Sequence, residues 1–491
     1  MSVRLTLATL AAALISGSCA TNPVSGAHDV VLTSTKGEIE QARRAHTQII
    51  QAYGVYEDQA VQDYVNRVGQ RVAQQSQRGA ELTWHFTVLD DGEVNAFTTG
   101  GGYVYVFRGL LTYLGSEAEL AAVLGHEIGH VNARHPVKAE TRDVLASVLA
   151  TGAVIATGST AVAEMANIGA AAWVQGYGRD QEMQADQLGI QYSSKSGYRP
   201  EAMTETMQVL KAQETFELDR AKRENREPQI YHGVFSDHPA PDDRVVATAK
   251  AAANVTGAPE GGWTENRDAY LKAIDGLPFG SSRAQGIVRE NRFYHADMGL
   301  TLAFPHGWTI ENDRDRLLAY THNKDAIMQL TADKRPEKKS PREYLLEKLG
   351  SASIAHGAEL HVNGMEGYTV VTRSGSPLDG GLGPVRWAVL YRGRSAFLIG
   401  GTSRSASTEG IPADDGVFLS SIETIRALKP SEYPLAEPYR IKIVQSTAQT
   451  KLDDYVKDMP TERYQKEELE LLNGVYPSGK LAPGQLIKVV E

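Results

Sequence analysis

Residues 116–135 read SEAELAAVLGHEIGHVNARH, and this stretch decides how the rest of the chain is understood. Ser116 followed by Glu119 is a capping box, and the stripe Leu120, Val123, Leu124, Ile128 and Val131 that follows has helical spacing. The spacing predicts a helix. On it, His126 and His130 stand four residues apart, so both imidazoles rise from nearly the same face and reach one ion at about 2.0–2.1 Å. Glu127 projects beside them, where a carboxylate takes a proton from a water that the metal has acidified.

A hydrolytic metal site needs a third protein ligand and an open position. A second predicted helix, from about 173 to 196, carries Arg179, Asp180, Gln181, Glu182, Met183, Gln184, Ala185 and Asp186. Glu182 is the candidate third ligand. Asp186, one turn later, is placed to bond the free N–H of a ligand histidine and fix its orientation. His135 lies five residues after His130, which on a continuous helix points elsewhere, and reads as structural. The chain's single cysteine, Cys19, excludes intramolecular disulfides and cysteine-rich metal sites, so the metal falls to histidine and carboxylate.

These pieces, taken in order over roughly residues 30–250, resemble the exported and integral gluzincins typified by the HtpX, BepA and CAAX-prenyl-protease metallopeptidases. The resemblance rests on Asn95-Ala96-Phe97 followed by Gly101–Val106 and Arg108–Leu111, on HEIGH, on Arg179-x-x-Glu182-x-x-Ala185-Asp186, and on His238-Pro239-x-Pro241-x-x-Arg244. It implies a mostly helical zincin domain holding one Zn²⁺ through His126, His130 and Glu182, with Glu127 as general base. Asn95, Ala96 and Phe97 would form the edge strand that receives an extended polypeptide. His238 would either cap the open metal position at rest or donate to the oxyanion, and Arg244 would support the site beside Asp186.

Around this domain the chain is long and acidic. Its 491 residues exceed one compact core, and 50 Lys+Arg against 60 Asp+Glu give a net charge of −10, which excludes a phosphate-tracking nucleic-acid binder. Residues 1–18 have Arg4, the apolar run Leu5–Ile15 and then Ser16, Gly17 and Ser18 before Cys19, the layout of an export signal. The ending resembles a bacterial lipoprotein signal, which implies lipidation of Cys19 and a membrane tether; an ordinary signal with an incidental cysteine is the other reading. Ala20 after the cysteine favours, by resemblance to bacterial sorting, the periplasmic face of the outer membrane.

The expected architecture is multidomain α+β: a leader over 1–18, a metallopeptidase domain with a small sheet over 19–265, an α+β accessory domain over 286–430, and a C-terminal module over 434–491. The ending Leu481-Ala-Pro-Gly-Gln-Leu-Ile-Lys-Val-Val resembles a divergent LysM repeat, which implies peptidoglycan binding; a docking subdomain is the alternative. Residues 144–163 carry no charge, but Gly152, Gly158 and frequent small residues favour a buried helix, hairpin or lid over the cleft rather than a membrane span. The expected function is zinc-dependent endoproteolysis of unfolded or misassembled cell-envelope proteins. The alternative is a zinc-organised, chaperone-like assembly factor with low proteolytic activity.

Overall fold

The computed structural model describes residues 19–26, 28–141, 177–226, 228, 241–350, 352, 354–373, 384–406, 410–459 and 464–491. The expected leader and the uncharged 144–163 stretch lie outside them. Two compact units emerge: the chain up to Phe279 together with Arg440–Glu491, and Gly280–Tyr439. No helix among the described residues is long and apolar enough to cross a membrane.

In the first unit β1 (Cys19–Thr21) and β2 (His28–Val30) pair antiparallel. Helix α1 (Thr35–Tyr53) starts at Ser34 and α2 (Gln59–Ala73) at Asp58, whose carboxylate accepts from the amides of Ala60 and Val61. The periodic Val61, Val65, Val68 and Val72 of α2 are buried, as their spacing predicts. A three-stranded sheet follows in the order β3 (His85–Leu89), β5 (Tyr103–Phe107), β4 (Ala96–Gly100). The two runs rich in aromatic and β-branched residues pair directly, β3 parallel to β5, while β4 runs antiparallel to β5 and lies at an edge of the sheet.

The turn between β4 and β5 requires glycine: Gly100, Gly101 and Gly102 all have positive φ. It is pinned by Glu38, whose Oε1 accepts from Gly101 N at 3.0 Å. Glu38 in turn is held by buried Arg78 through two bonds of 3.0 Å, and Arg78 also donates to Val131 O near the end of α4. One arginine thus ties the edge-strand hairpin to the HEIGH helix.

Beyond α3 (Arg108–Tyr113), α4 (Glu117–Asn132) is buried at all sixteen positions. That is why its apolar residues encircle it rather than forming one stripe. Ser116 Oγ accepts from Glu119 N at 3.2 Å, closing the predicted cap, and Glu117 and Glu119 complement the helix dipole. Helices α5 (Arg179–Lys195), α6 (Ala202–Glu224), α7 (Pro241–Ala253) and α8 (Arg267–Ala273) and strand β6 (Pro278–Phe279) complete this stretch.

The second unit is α+β, as expected. Strands β7 (Ile287–Arg289), β8 (Arg292–His295), β9 (Leu300–Ala303) and β17 (Arg426–Ala427) form an antiparallel sheet. A larger antiparallel sheet has the order β10 (Thr309–Asn312), β11 (Arg316–Tyr320), β12 (Ala326–Lys334), β16 (Ser395–Ser403), β15 (Val385–Arg392), β14 (Met365–Thr372), β13 (Ile354–Val362). Helix α9 (Pro341–Leu349), with a full capping box at Ser340 and Glu343, packs on β14 and β15, and α10 (Asp415–Glu423) sends Phe418 and Ile422 into the core.

The C-terminal segment shows strand, 3₁₀ turn, helix and strand: β18 (Tyr439–Gln445), Leu452–Asp458, α11 (Gln465–Leu472) and β19 (Leu486–Val490). β18 pairs antiparallel with β19, and β6 joins them as a third strand. From Arg440 onward this segment shares the compact unit of the first 279 residues. Its Lys488 reaches inward and donates to Thr112 O at 2.8 Å and Leu114 O at 2.9 Å, at the end of α3.

Candidate metal centre

Helices α4 and α5 meet along a seam of small residues. A Cβ added at Gly125 would lie 2.9 Å from Gly189 O, one at Gly129 3.0 Å from Ala185 O, and one at Gly189 2.9 Å from His126 N. Larger residues would hold the backbones apart, so Gly125, just before HEIGH, and Gly129, within it, set how closely Glu182 approaches the histidine pair.

The approach brings the predicted ligands together. Nε2 of His126 and Nε2 of His130 are 2.9 Å apart, and the Glu182 carboxylate lies 3.5 Å from the first and 3.3 Å from the second. One donor atom from each of the three residues falls within 4.8 Å of the others, and all three residues are buried. Glu127, also buried, follows His126 on α4. The donor set fits a zinc ion: two imidazoles offer Nε2, their Nδ1 atoms are engaged elsewhere, and a carboxylate completes the group.

Asp186 and Arg244, the predicted supporting pair, meet at this group. Asp186 Oδ1 accepts from Nδ1 of His126 at 2.9 Å. Arg244, on α7, donates from Nε to Oδ2 and from Nη2 to Oδ1 of Asp186, both at 2.7 Å, and its Nη1 lies 2.9 Å from Glu182 Oε2. Burial alone would lower the His126 pKa, but hydrogen bonds and charge from Asp186 and Glu182 outweigh it and raise the value to about 10. Burial would raise Asp186, and its bonds to Arg244 and His126 overcome this and hold it below the ordinary carboxylate range.

Asn95 and Ala96 are buried at the start of the edge strand, and Phe97, half-buried, stacks on Tyr105 with ring centroids 4.9 Å apart. Helix α4 packs against β4, so the edge and the histidine pair are neighbours. His238 lies outside the described residues. Cys19 opens β1.

His135 departs from its reading as a residue aimed elsewhere. Helix α4 ends at Asn132, and Arg134 takes a left-handed φ of 58° before the chain turns helical again at 135–141. That break returns the His135 ring to His130, with Nδ1 to Nδ1 at 2.9 Å, while its Nε2 lies 3.0 Å from Gln184 Oε1. Burial lowers the His135 pKa to about 4, so the ring is neutral. Tyr177 stacks on the other side of His130 at 3.9 Å between centroids. Gln184 and Tyr177 carried no signal of their own in the sequence. For His135 the only hint was its proximity to HEIGH.

Two histidines and a glutamate converging from two helices, with a further glutamate inside HExxH, define the HExxH metallopeptidase class. Residues 59–252 match the family model described as Peptidase family M48. The chain is 30% identical over 206 residues to the beta-barrel assembly-enhancing protease of Escherichia coli (strain K12), covering 40% of each chain. It is 31% identical over 120 residues to the mitochondrial metalloendopeptidase OMA1 of Arabidopsis thaliana, covering 24% of each. With the Schizosaccharomyces pombe protein of the same name it shares 30% over 188 residues, 37% of this chain and 54% of that one. The chain thus spans well under two thirds of the curated relatives it matches.

Proposed function

We propose that this chain is a zinc-dependent metalloendopeptidase that cuts unfolded or misassembled polypeptides of a bacterial cell envelope. The observation that carries the reading is the convergence of His126 Nε2, His130 Nε2 and the Glu182 carboxylate in one buried group, with buried Glu127 next to His126 along α4. A zinc ion held by these three residues supplies Lewis acidity, which acidifies water and polarises a peptide carbonyl. Glu127 accepts the proton that water gives up and returns it to the departing amine. Asp186, clamped by Arg244, holds the His126 ring with its Nε2 turned to the ligand group. Main-chain groups of β4 around Ala96 pair with an extended substrate, which makes recognition tolerant of side chains and selective for unfolded segments. His238, six residues before Arg244, keeps one of the two roles its motif implies.

The printed name of the bacterial relative, a protease that enhances β-barrel assembly, supports an envelope substrate. Lipidation at Cys19 would keep the enzyme at the outer membrane, on its periplasmic side. For residues 434–491 the docking role is the better supported: Lys488 and β19 pack into the peptidase unit, and peptidoglycan binding has no comparable observation. The test is a metal assay joined to a cleavage assay. One zinc per chain, with cleavage of an unfolded polypeptide lost on chelation and regained with zinc, is the expected result. Cleavage unaffected by chelation overturns the reading.

A further inference from the structure

His126 is oriented by a charged partner, Asp186; His130 has a different one. We propose that His135 and Gln184 are positioning residues of the metal centre, forming a hydrogen-bonded relay that fixes the tautomer of His130. The inference rests on the metal-site reading above. An amide oxygen only accepts, so Gln184 Oε1, 3.0 Å from His135 Nε2, requires a hydrogen on that nitrogen. One hydrogen lies between the two facing Nδ1 atoms, and a His130 that offers its Nε2 lone pair as a ligand carries that hydrogen on its own Nδ1, so Nδ1 of His135 accepts. Facing it at 2.9 Å, Nδ1 of His130 is then the donor, and Nε2 of His130 is left with its lone pair toward His126 and Glu182.

The polarity matters. With the Gln184 amide turned round, every bond in the relay would reverse and a hydrogen would stand on His130 Nε2, where the ligand lone pair is needed. The orienting signal therefore begins on α5, the helix that also supplies Glu182, two residues earlier. A carboxylate at position 135 would orient His130 as well, but it would add a further negative charge to a buried group that already holds the carboxyl groups of Glu127, Glu182 and Asp186. A relay of imidazole and amide orients without that added negative charge. It also explains the left-handed Arg134: a helix continued through that position would carry the His135 ring away from His130.

The test is zinc affinity, measured by competition with a chromophoric chelator on full-length metal-free protein, together with the visible spectrum of the cobalt-substituted form. His135→Phe keeps a flat ring without the acceptor, and Gln184→Leu removes the far end of the relay at a partly buried position. Each should weaken zinc binding about 10–100-fold and shift the cobalt bands. His135→Asn, whose Oδ1 can stand where Nδ1 stood, should bring affinity back to within about fivefold of wild type. If His135→Phe does not fold, Gln184→Leu and His135→Asn carry the comparison. Unchanged affinity and spectra in folded Phe and Leu variants, beside a wild type that binds one zinc, overturn the relay alone. A wild type that binds no zinc overturns the metal reading and the relay together.

Discussion

Oδ1 of Asp186 accepts a hydrogen bond from Nδ1 of His126 at 2.9 Å, and both residues are buried. The carboxylate is not free to turn away, because Arg244 grips both of its oxygens at 2.7 Å. The proposed ligand His126, the acid that bonds it and the arginine that holds the acid thus come from three helices, α4, α5 and α7. Asp186→Ala should weaken zinc binding about 10–100-fold, measured by chelator competition, and wild-type affinity in the folded variant would separate Asp186 from the site.

Arg244 is 2% exposed and faces two buried carboxylates. Removing it takes the buried guanidinium away from Glu182 and Asp186, so Arg244→Met should destabilise the first unit by about 3–5 kcal/mol in denaturant titration. A loss below about 1 kcal/mol would show that solvent already reaches these carboxylates.

The glycine seam predicts that ligand geometry depends on a residue that touches no metal. At Gly189 an added Cβ would stand 2.6 Å from Met203 Cε and 2.9 Å from the backbone of His126. Gly189→Ala should cost about 1–3 kcal/mol and lower zinc affinity, whereas Gly416→Ala, with nothing within 4 Å, should do neither. Equal behaviour of the two variants in thermal unfolding and metal titration would sink the argument.

Much of this site was legible in the sequence for a simple reason. Helical periodicity places His126 and His130 on one face whatever the tertiary fold, and the capping box at Ser116 marks where that helix begins. Aromatic and β-branched residues alternate with others through β3 and β5, a pattern that reads as strand. What was not legible depends on local breaks and long-range packing. Arg134 in a left-handed conformation is invisible to a periodicity argument, so His135 was projected along a helix that in fact stops. Gly125, Gly129 and Gly189 matter only once α4 and α5 meet. Lys488 looks like a surface residue of a terminal strand until its strand is seen against α3, where its Nζ donates to two carbonyls.

Lys488 yields its own prediction. Its Nζ is buried on Thr112 O and Leu114 O, just ahead of the Ser116 cap of α4. Lys488→Met leaves those carbonyls short of a donor and should cost about 1–3 kcal/mol by thermal or denaturant unfolding. No change would mean that the C-terminal segment does not support the metal-bearing helix.

In the second unit, Glu432 accepts two bonds of 2.6 Å from Arg426 and one of 2.9 Å from Lys429 N. The Arg426 bonds, more than the backbone one, pull its pKa from 4.5 down to about 2. A carboxyl depressed on folding stabilises above its unfolded pKa and stops doing so as pH falls through the folded value. The stability advantage of wild type over Glu432→Gln should therefore hold at pH 7, shrink below about pH 4.5 and vanish near pH 2. A difference that is constant across that range, followed by thermal unfolding at each pH, would contradict the assignment.

The central claim is that Glu127 moves the proton in peptide hydrolysis at this site. The direct measurement compares zinc-loaded wild type and Glu127→Gln on one unfolded polypeptide, with zinc content determined for both. The account predicts one zinc per chain in each and cleavage slower by about 10²–10⁴-fold in the variant. Equal cleavage by the two proteins would contradict it.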